Sequence, residues 1–355
     1  MRALGAEQVE EAVADCVTAL GAVTDRNWEE VRAGRLEWDC RRTAEHIASD
    51  FIAYAAQLAG RAQDAYTPFA FGLDEDTDNT GALQVITTTG ALLAAAVRTT
   101  PRAARAFHPY PYRHANREGF AAMGVAEVLL HTHDIAEGLG IGYEPPAGLA
   151  SFVLTRIFPR VRPGPEPWPT LLWATGRGDL PGREPVTAWK WSNNPVLRSE
   201  RLTLEGVTPA TAADLSLAGD GGYEWVGGAA AEGTREGAGI MVKQYEEGAF
   251  HPEWGMYVLV RREDDRAVGA MGFHGAPGGD GRVEIGYDLV PGARGNGYAT
   301  EALRTLSHRA LEQDGVRTVV AVVEQENVPS QNVVARAGFT RAGEDAGQLT
   351  YELRG

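Results

Sequence analysis

Two clusters in this sequence have residue types at spacings that chemistry needs. The first is Val290-Pro291-Gly292-Ala293-Arg294-Gly295-Asn296-Gly297-Tyr298-Ala299, a glycine-containing turn that leads from a strand-like run into an amphipathic helix carrying Leu303, Leu306 and Ala310. The first turn of a helix exposes backbone N–H groups without partners, and its dipole adds partial positive charge, so an oxygen-rich anion fits there. Gly295 and Gly297 keep Cβ atoms out of the ligand's way, and Arg294 adds a positive charge. No Lys-Ser/Thr pair follows the glycines, which excludes a Walker A loop, and their spacing is not that of a dinucleotide fingerprint. The second cluster lies far away in the chain. Glu127 and His131, four residues apart, share one face of a predicted helix. His46, in the first turns of a neighbouring helix, supplies a third group, and this set suits zinc with one position left open. Asp134 is spaced to orient a ligating imidazole from behind. His133 falls about 200° around the helix from His131 and should point away.

The elements that must hold these groups differ between the two halves. Before about residue 190, alanine-rich segments repeat apolar residues at helical spacing, predicting helices at 6–22, 42–60, 80–99 and 117–139 and a shorter one at 147–158. In the second of these, Ala44, Ile47, Ala48, Phe51, Ala55 and Leu58 form one stripe. Four long helices with polar loops read as an all-α bundle. The run Pro159 to Pro169 carries five prolines and is expected to be non-helical. Residues 170–191 are expected to fold back onto the bundle through Leu171, Leu172, Trp173, Trp189 and Trp191, and Ser192-Asn193-Asn194-Pro195 reads as a linker. Beyond it, short alternating strands and glycine turns predict an α/β domain with a mixed central sheet. Its expected strands are 201–204, 256–260, 267–273, 282–289 and 317–323, with helices at 297–313 and 329–337. The predicted domains are 1–192 and 197–355, two domains being the expectation for 355 residues.

Composition narrows the partners. A formal net charge of −15 opposes binding to a phosphate backbone and suits a cationic small molecule, or simply a solubilising surface. No apolar run approaches the ~18 residues of a membrane span, and the N-terminus lacks the apolar core and cleavage site of a secretion signal. Cys16 and Cys40 alone make no disulfide framework, so a reducing cytoplasm is expected. Lys190 and Lys243 are the only lysines among many arginines, a bias that fits a GC-rich bacterial genome.

The turn at 294–299 resembles the acetyl-coenzyme A-binding motif of the GNAT family, whose Arg/Gln-x-x-Gly-x-Gly/Ala pattern is met by Arg294, Gly297 and Ala299. Asn327-x-x-Ser330-x-Asn332 followed by Ala335-Arg336-Ala337-Gly338-Phe339 resembles the family's last helix and the strand after it. Ser199-Glu200-Arg201-Leu202 and Glu284-Ile285-Gly286-Tyr287 are similar to the ribosomal-protein N-acetyltransferase branch. The resemblance covers 197–355 in order and implies acetyl transfer to a primary amine, on a small molecule or a peptide. It implies a pantetheine arm between strands that splay after Tyr287, held by backbone groups near Leu289 and Val290, and a pyrophosphate on the 294–299 turn. Glu284 is then the candidate base for the amine, or else a solvated or substrate-orienting carboxylate. Ser330 is the candidate proton donor to the thiolate, or only a helix cap, and Asn327 would hold a water or the pantetheine. The acceptor would meet the segment 219–254, where Tyr223, Trp225, Tyr245, Glu246, Glu247 and Glu253 either hold a cationic amine or serve packing and surface charge.

The first half has its own likeness. The segment from Trp38 to His46 and the run Glu127-Val128-Leu129-Leu130-His131-x-x-Asp134-Ile135-Ala136 resemble the N-terminal domain of mycothiol-dependent maleylpyruvate isomerase, within the DinB-like superfamily. Leu171-Leu172-Trp173-Ala174-Thr175-Gly176-Arg177 is similar to the tail of such bundles. That likeness implies a divalent metal such as zinc on His46, Glu127 and His131, activating a thiol. It leaves open whether the bundle is a second catalyst or a substrate-capturing module. Two other readings stay open: a mycothiol-linked transferase or isomerase with the second half accessory, and a non-catalytic binder of a small molecule. A homodimer is compatible with either.

Overall fold

A computed structural model describes residues 5–355; the first four residues of the N-terminal signal reading lie outside them. The chain divides into two compact units between Asn193 and Asn194, within the expected linker.

In the first unit the helices are α1 (Ala6–Gly21), α2 (Cys40–Gly60), α3 (Asn79–Thr99), α4 (Arg117–Gly138), α5 (Ala147–Ile157) and α6 (Pro167–Ala174), with a short ladder of β1 (Ala106–Phe107) and β2 (His114–Ala115) before α4. Asp39, Asp78 and Asn116 each accept a backbone N–H from the first turn of α2, α3 and α4, caps worth about 1 kcal/mol apiece. α1 and α2 each pack against both α3 and α4. α4 is buried on almost every side from Arg117 to Ala136, so it is the central helix, and a histidine on it is enclosed whichever way it points.

Two expectations need correction here. The proline-rich run is not wholly irregular, because α6 starts at Pro167 and tolerates Pro169. In a first turn the proline nitrogen would have had no partner in any case. Although no uninterrupted apolar run is span-length, α3 is long and apolar enough to cross a membrane, with a mean hydropathy of 1.5. Its glycine and threonine residues break the apolar run, while leucine, isoleucine, valine and alanine keep the mean high. Here Ala82, Leu83, Ile86, Leu93, Ala94 and Val97 of α3 belong to the core of the unit.

The second unit contains β3 (Val196–Arg198), β4 (Leu202–Gly206), α7 (Pro209–Ser216), β5 (Glu224–Trp225), α8 (Glu232–Glu247), β6 (Met256–Arg261), β7 (Arg266–Phe273), β8 (Arg282–Leu289), α9 (Tyr298–Leu311), β9 (Thr318–Glu324), α10 (Val328–Arg336), β10 (Thr340–Asp345) and β11 (Gln348–Arg354). The sheet runs β10-β11-β9-β8-β7-β6-β4-β3, with β5 against β7. β8 is parallel to β9 and β5 to β7; the other pairs are antiparallel, so the sheet is mixed.

The parallel pair places the site. β8 bonds β9 only over Arg282–Glu284, while its other edge stays paired to β7 from Ile285 to Leu289. The strands therefore part after Glu284, three residues earlier than expected, and leave one backbone edge of Ile285–Leu289 without a strand partner. An unpaired edge inside a sheet needs hydrogen-bond partners from elsewhere. An extended ligand with amide groups is one source.

Candidate functional site

Two cavities meet on β8. The larger, about 560 Å³, lies between the open edge of β8, the turn before α9 and α10; Leu289, Arg294, Gly297, Thr300, Ser330 and Arg336 are among its walls. The smaller, about 240 Å³, lies where α8 crosses β6, β7 and β8. Tyr287 and Asp288 line both.

The turn into α9 has the geometry of an anion cradle. Gly295 and Gly297 adopt φ of +78° and +80°, and Gly297 is the N-cap of α9 with no side chain capping the helix. The acidic residue of that first turn, Glu301, is turned away. It accepts from the Ser199 hydroxyl at 2.6 Å and from the Arg201 backbone N–H and Nε at 2.7 Å each. The Arg294 side chain is 62% exposed, and its Nε donates to the Leu289 carbonyl at 3.1 Å, which keeps it beside the cradle.

The expected cofactor residues divide. Leu289, Arg294, Gly295, Gly297 and Ala299 line the larger cavity. Val290, Asn296 and Tyr298 do not present side chains to it. Val290 is buried with its N–H given to the Val268 carbonyl. Asn296 donates to the carbonyls of Ala293 and Arg294, which stiffens the turn, and Tyr298 is buried beneath the Arg201 guanidinium. Arg336 went unassigned in the sequence, although it stands inside the motif quoted for α10. Its side chain borders the larger cavity and adds a second cation beside Arg294 there. Arg336→Ala is expected to raise KM for acetyl-CoA about tenfold with kcat nearly unchanged, measured by steady-state kinetics.

Ser330 and Tyr287 share a hydroxyl–hydroxyl hydrogen bond of 2.6 Å at the junction of the cavities. Burial pushes the Tyr287 phenol above its usual range, and the bond to Ser330 opposes this, so it is a protonated donor at neutral pH. Asn327 also borders the larger cavity, but its side-chain oxygen accepts the Ser330 N–H at 3.1 Å, so it, not Ser330, caps α10.

Glu284 lines neither cavity. Its carboxylate instead accepts from His274 Nδ1 at 3.0 Å, and His274 does line the smaller cavity, with Nε2 lying across Gly286. This pair is not legible in the sequence, because His274 sits past the end of β7 and faces Glu284 only through the antiparallel register.

Of the two readings of the aromatic residues in 219–254, the structure has the packing one. Tyr223, Trp225 and Tyr245 are all at most 9% exposed, with Trp225 drawn in where β5 joins β7. Glu247 pairs with Lys243 on an exposed face. The smaller cavity is walled by Met241, Met256, Met271 and Phe273.

In the helical unit, His46 of α2 and Glu127 and His131 of α4 do converge, with one potential ligand atom from each lying within 4.8 Å of the others. His131 Nε2 is 3.1 Å and His46 Nε2 3.8 Å from Glu127 Oε2. His131 Nδ1 is 3.0 Å from Asp134, whose carboxylate accepts from Arg177 at 2.8 Å. Tyr54 donates to the other Glu127 oxygen at 3.3 Å. Burial opposes a charged His131, but the bonds to Asp134 and Glu127 outweigh it and hold its pKa up to about 9. Asp50, one turn after His46 and 3.3 Å from its Nε2, joins the cluster and was missed in the sequence despite the four-residue spacing. Burial and the Glu127 charge push its carboxyl up to about 9. His133 faces away, its ring against Trp168.

Comparison with known proteins bears on the second unit. Residues 201–340 match the acetyltransferase (GNAT) domain family. The chain is 32% identical over 83 residues to the uncharacterized N-acetyltransferase YjdG of Bacillus subtilis, covering 23% of this chain and 49% of that one. It is 28% identical over 103 residues to the uncharacterized N-acetyltransferase p20 of Bacillus licheniformis, covering 29% and 58%. The chain thus spans about half the length of the curated relatives it matches. Similar solved structures include an acetyltransferase of Agrobacterium tumefaciens, 24% identical with a TM-score of 0.34 over 49% of this chain and all (100%) of that one. Another is the ribosomal-protein-S5-alanine acetyltransferase of Vibrio fischeri, 14% identical with a TM-score of 0.34 over 45% of this chain and 97% of that one.

Proposed function

The second unit is a GNAT acetyltransferase domain, and we propose that it transfers the acetyl group of acetyl-CoA to a primary amine of a small molecule or peptide. The observation that carries this reading is the meeting of two cavities at Tyr287 and Asp288, one ending at an anion cradle and the other shaped for a small body. The diphosphate would rest on the N–H groups at the start of α9, with Arg294 and Arg336 beside it. The amide groups of the pantetheine arm would pair with the open edge of β8.

A protonated amine cannot attack a thioester. Glu284 accepting from Nδ1–H of His274 leaves Nε2 with a lone pair toward the acceptor cavity, so Glu284 serves the reaction through the imidazole. His274 Nε2 takes one proton from the ammonium group, and the neutral nitrogen attacks the carbonyl carbon. The C–S bond breaks, the thiolate takes a proton from the Tyr287–Ser330 pair, and the proton that the acetylated nitrogen sheds restores that pair. His274→Ala is expected to lower kcat about 10²- to 10⁴-fold, measured by steady-state kinetics. Glu284→Gln should lower kcat less. An unchanged kcat in both variants would remove the dyad from the mechanism. The reading as a whole is tested by incubating the protein with acetyl-CoA and a panel of amines, following free thiol and acetylated product by mass spectrometry. Thiol release without acetylated amine would leave only thioester hydrolysis.

The convergence of His46, Glu127 and His131 favours a second reading, for the helical unit: a DinB-like bundle that binds a divalent metal such as zinc. The residues fit the group, since two imidazoles and a carboxylate share one point and Asp134, fixed by Arg177, holds the His131 ring by its other nitrogen. A bound cation would supply Lewis acidity and lower the pKa of a coordinated thiol or water. Trp38, whose ring stands 4.9 Å from that of His46, and Tyr54 hold the two ends of the set in place. A mycothiol-type thiol is the substrate class that this reading suggests, and mass spectrometry of such thiols incubated with acetyl-CoA and protein would show whether the units share a substrate.

A further inference from the structure

We infer that the acceptor is an ammonium group carried directly on a small apolar body, with Asp288 as its counter-ion. The inference deepens the acetyltransferase reading and rests on it.

Asp288 is the carboxylate at the joint of the two cavities. Its side chain is 23% exposed, and among the described residues its ion pair is with Arg294, at a long 3.7 Å. It stands beside the first turn of α8: a Cβ at Gly233 would come 3.0 Å from Asp288 Oδ2, so the glycine makes room for the carboxylate. The helix has no side-chain cap at Ala231, and its N-terminal dipole favours an anion there. A half-buried carboxylate with one distant partner, at the point where an acyl group would arrive, has capacity for a cation.

Most of the remaining wall of the smaller cavity is apolar, although Thr234, Glu236, Gln244, His274 and Tyr287 also border it. Met241, Met256 and Met271 are three of the five methionines in the chain, and all three face it with Phe273. Methionine side chains adapt to varied apolar shapes and make favourable contacts with aromatic rings. At the rim stands Ile240, 56% exposed, a large apolar side chain left in solvent beside the opening. The volume of about 240 Å³ admits a body of a few carbon atoms to one aromatic ring. A polycation or an aminoglycoside brings several further charges and hydroxyls, and beyond Thr234, Gln244, His274 and the exposed Glu236 they would meet methionine and phenylalanine and lose water without a partner. A free arylalkylamine and a peptide whose first residue is apolar present the same chemistry.

The test compares phenethylamine, the dipeptide Phe-Ala-amide, spermidine and kanamycin as acceptors, and also titrates each into the protein calorimetrically in the presence of coenzyme A. We expect kcat/KM for phenethylamine or the dipeptide to exceed that for spermidine about 100-fold, the better of the two identifying the source of the amine. Asp288→Asn should raise KM for the preferred amine about tenfold or more while KM for acetyl-CoA changes little. Ile240→Lys, at an exposed position that folding does not depend on, should raise the same KM several-fold by placing a cation at the rim. Preference for spermidine or kanamycin, or an Asp288→Asn enzyme with unchanged amine KM, would overturn the inference. Should no amine be acetylated, the transfer reading falls. The calorimetric arm then decides this inference by itself, with apolar amines binding in an Asp288-dependent way or not.

Discussion

Gly297→Val is expected to abolish saturable binding of coenzyme A while leaving the sheet folded. Gly297 holds φ at +80° as the N-cap of α9, and a β-branched residue there costs about 1–2 kcal/mol before any contact is counted. Its Cβ would also stand 3.4 Å from the Arg201 Nη2, and that guanidinium ties the turn through the Asn296 carbonyl and Glu301. Relief of the strain must rotate the first N–H groups of α9 away from the point where they converge, and those groups are the proposed diphosphate ligands. The effect on coenzyme affinity should reach about 100-fold, measured by calorimetry, against a small fall in melting temperature. Gly295→Ala provides the comparison. Its φ is also left-handed, at +78°, but a Cβ there meets nothing, so a smaller loss is expected. Equal, modest effects at the two positions would mean that the helix start is not the anion site.

His131→Ala should have the second large effect, on stability and metal content together. Glu127 is 8% exposed and loses a partner at 3.1 Å, and Asp134 loses one at 3.0 Å, so buried carboxylates are left short of donors. Removing one member of a buried pair costs about 3–5 kcal/mol. For a unit of this size that is a fall in melting temperature on the order of 10 °C. His46→Ala separates the two consequences. Its side chain is 31% exposed and at the edge of the cluster, so it should lose the metal with a much smaller change in stability. Elemental analysis of tag-free protein purified without added metal reads the first effect, and thermal unfolding the second. Metal retained in both variants would remove these residues from its coordination.

What could be read from the sequence follows from how local each signal is. The cradle at 294–299 was legible because turn, glycines and helix start are contiguous, and a backbone site needs little else. The pairing of His46 with Glu127 and His131 was legible because residue type suggested the third group and the family resemblance supported it; helical spacing alone supplies only the pair on α4. Residues joined through the sheet were not legible. His274 reaches Glu284, and Tyr287 reaches Ser330, only once β7, β8 and α10 are in register. The aromatic residues near α8 were left between two readings for the complementary reason. Tyr223, Trp225 and Tyr245 stand in a polar segment, and only packing against the sheet decides that they belong to the core. The methionines are scattered over α8, β6 and β7 and become one wall only in the fold. Prolines at 167 and 169 forbid a helix interior, and the first turn of α6 is not an interior.

Coenzyme binding and acetyl transfer both require the start of α9 to grip a diphosphate. The direct measurement is a calorimetric titration of the whole chain with coenzyme A and, separately, with pantetheine, which lacks the diphosphate. The expected result is a one-site isotherm for coenzyme A with Kd between about 1 μM and 1 mM, and pantetheine weaker by about 100-fold. Equal binding of the two ligands, or no heat with coenzyme A from a chain shown by circular dichroism to be folded, would contradict it.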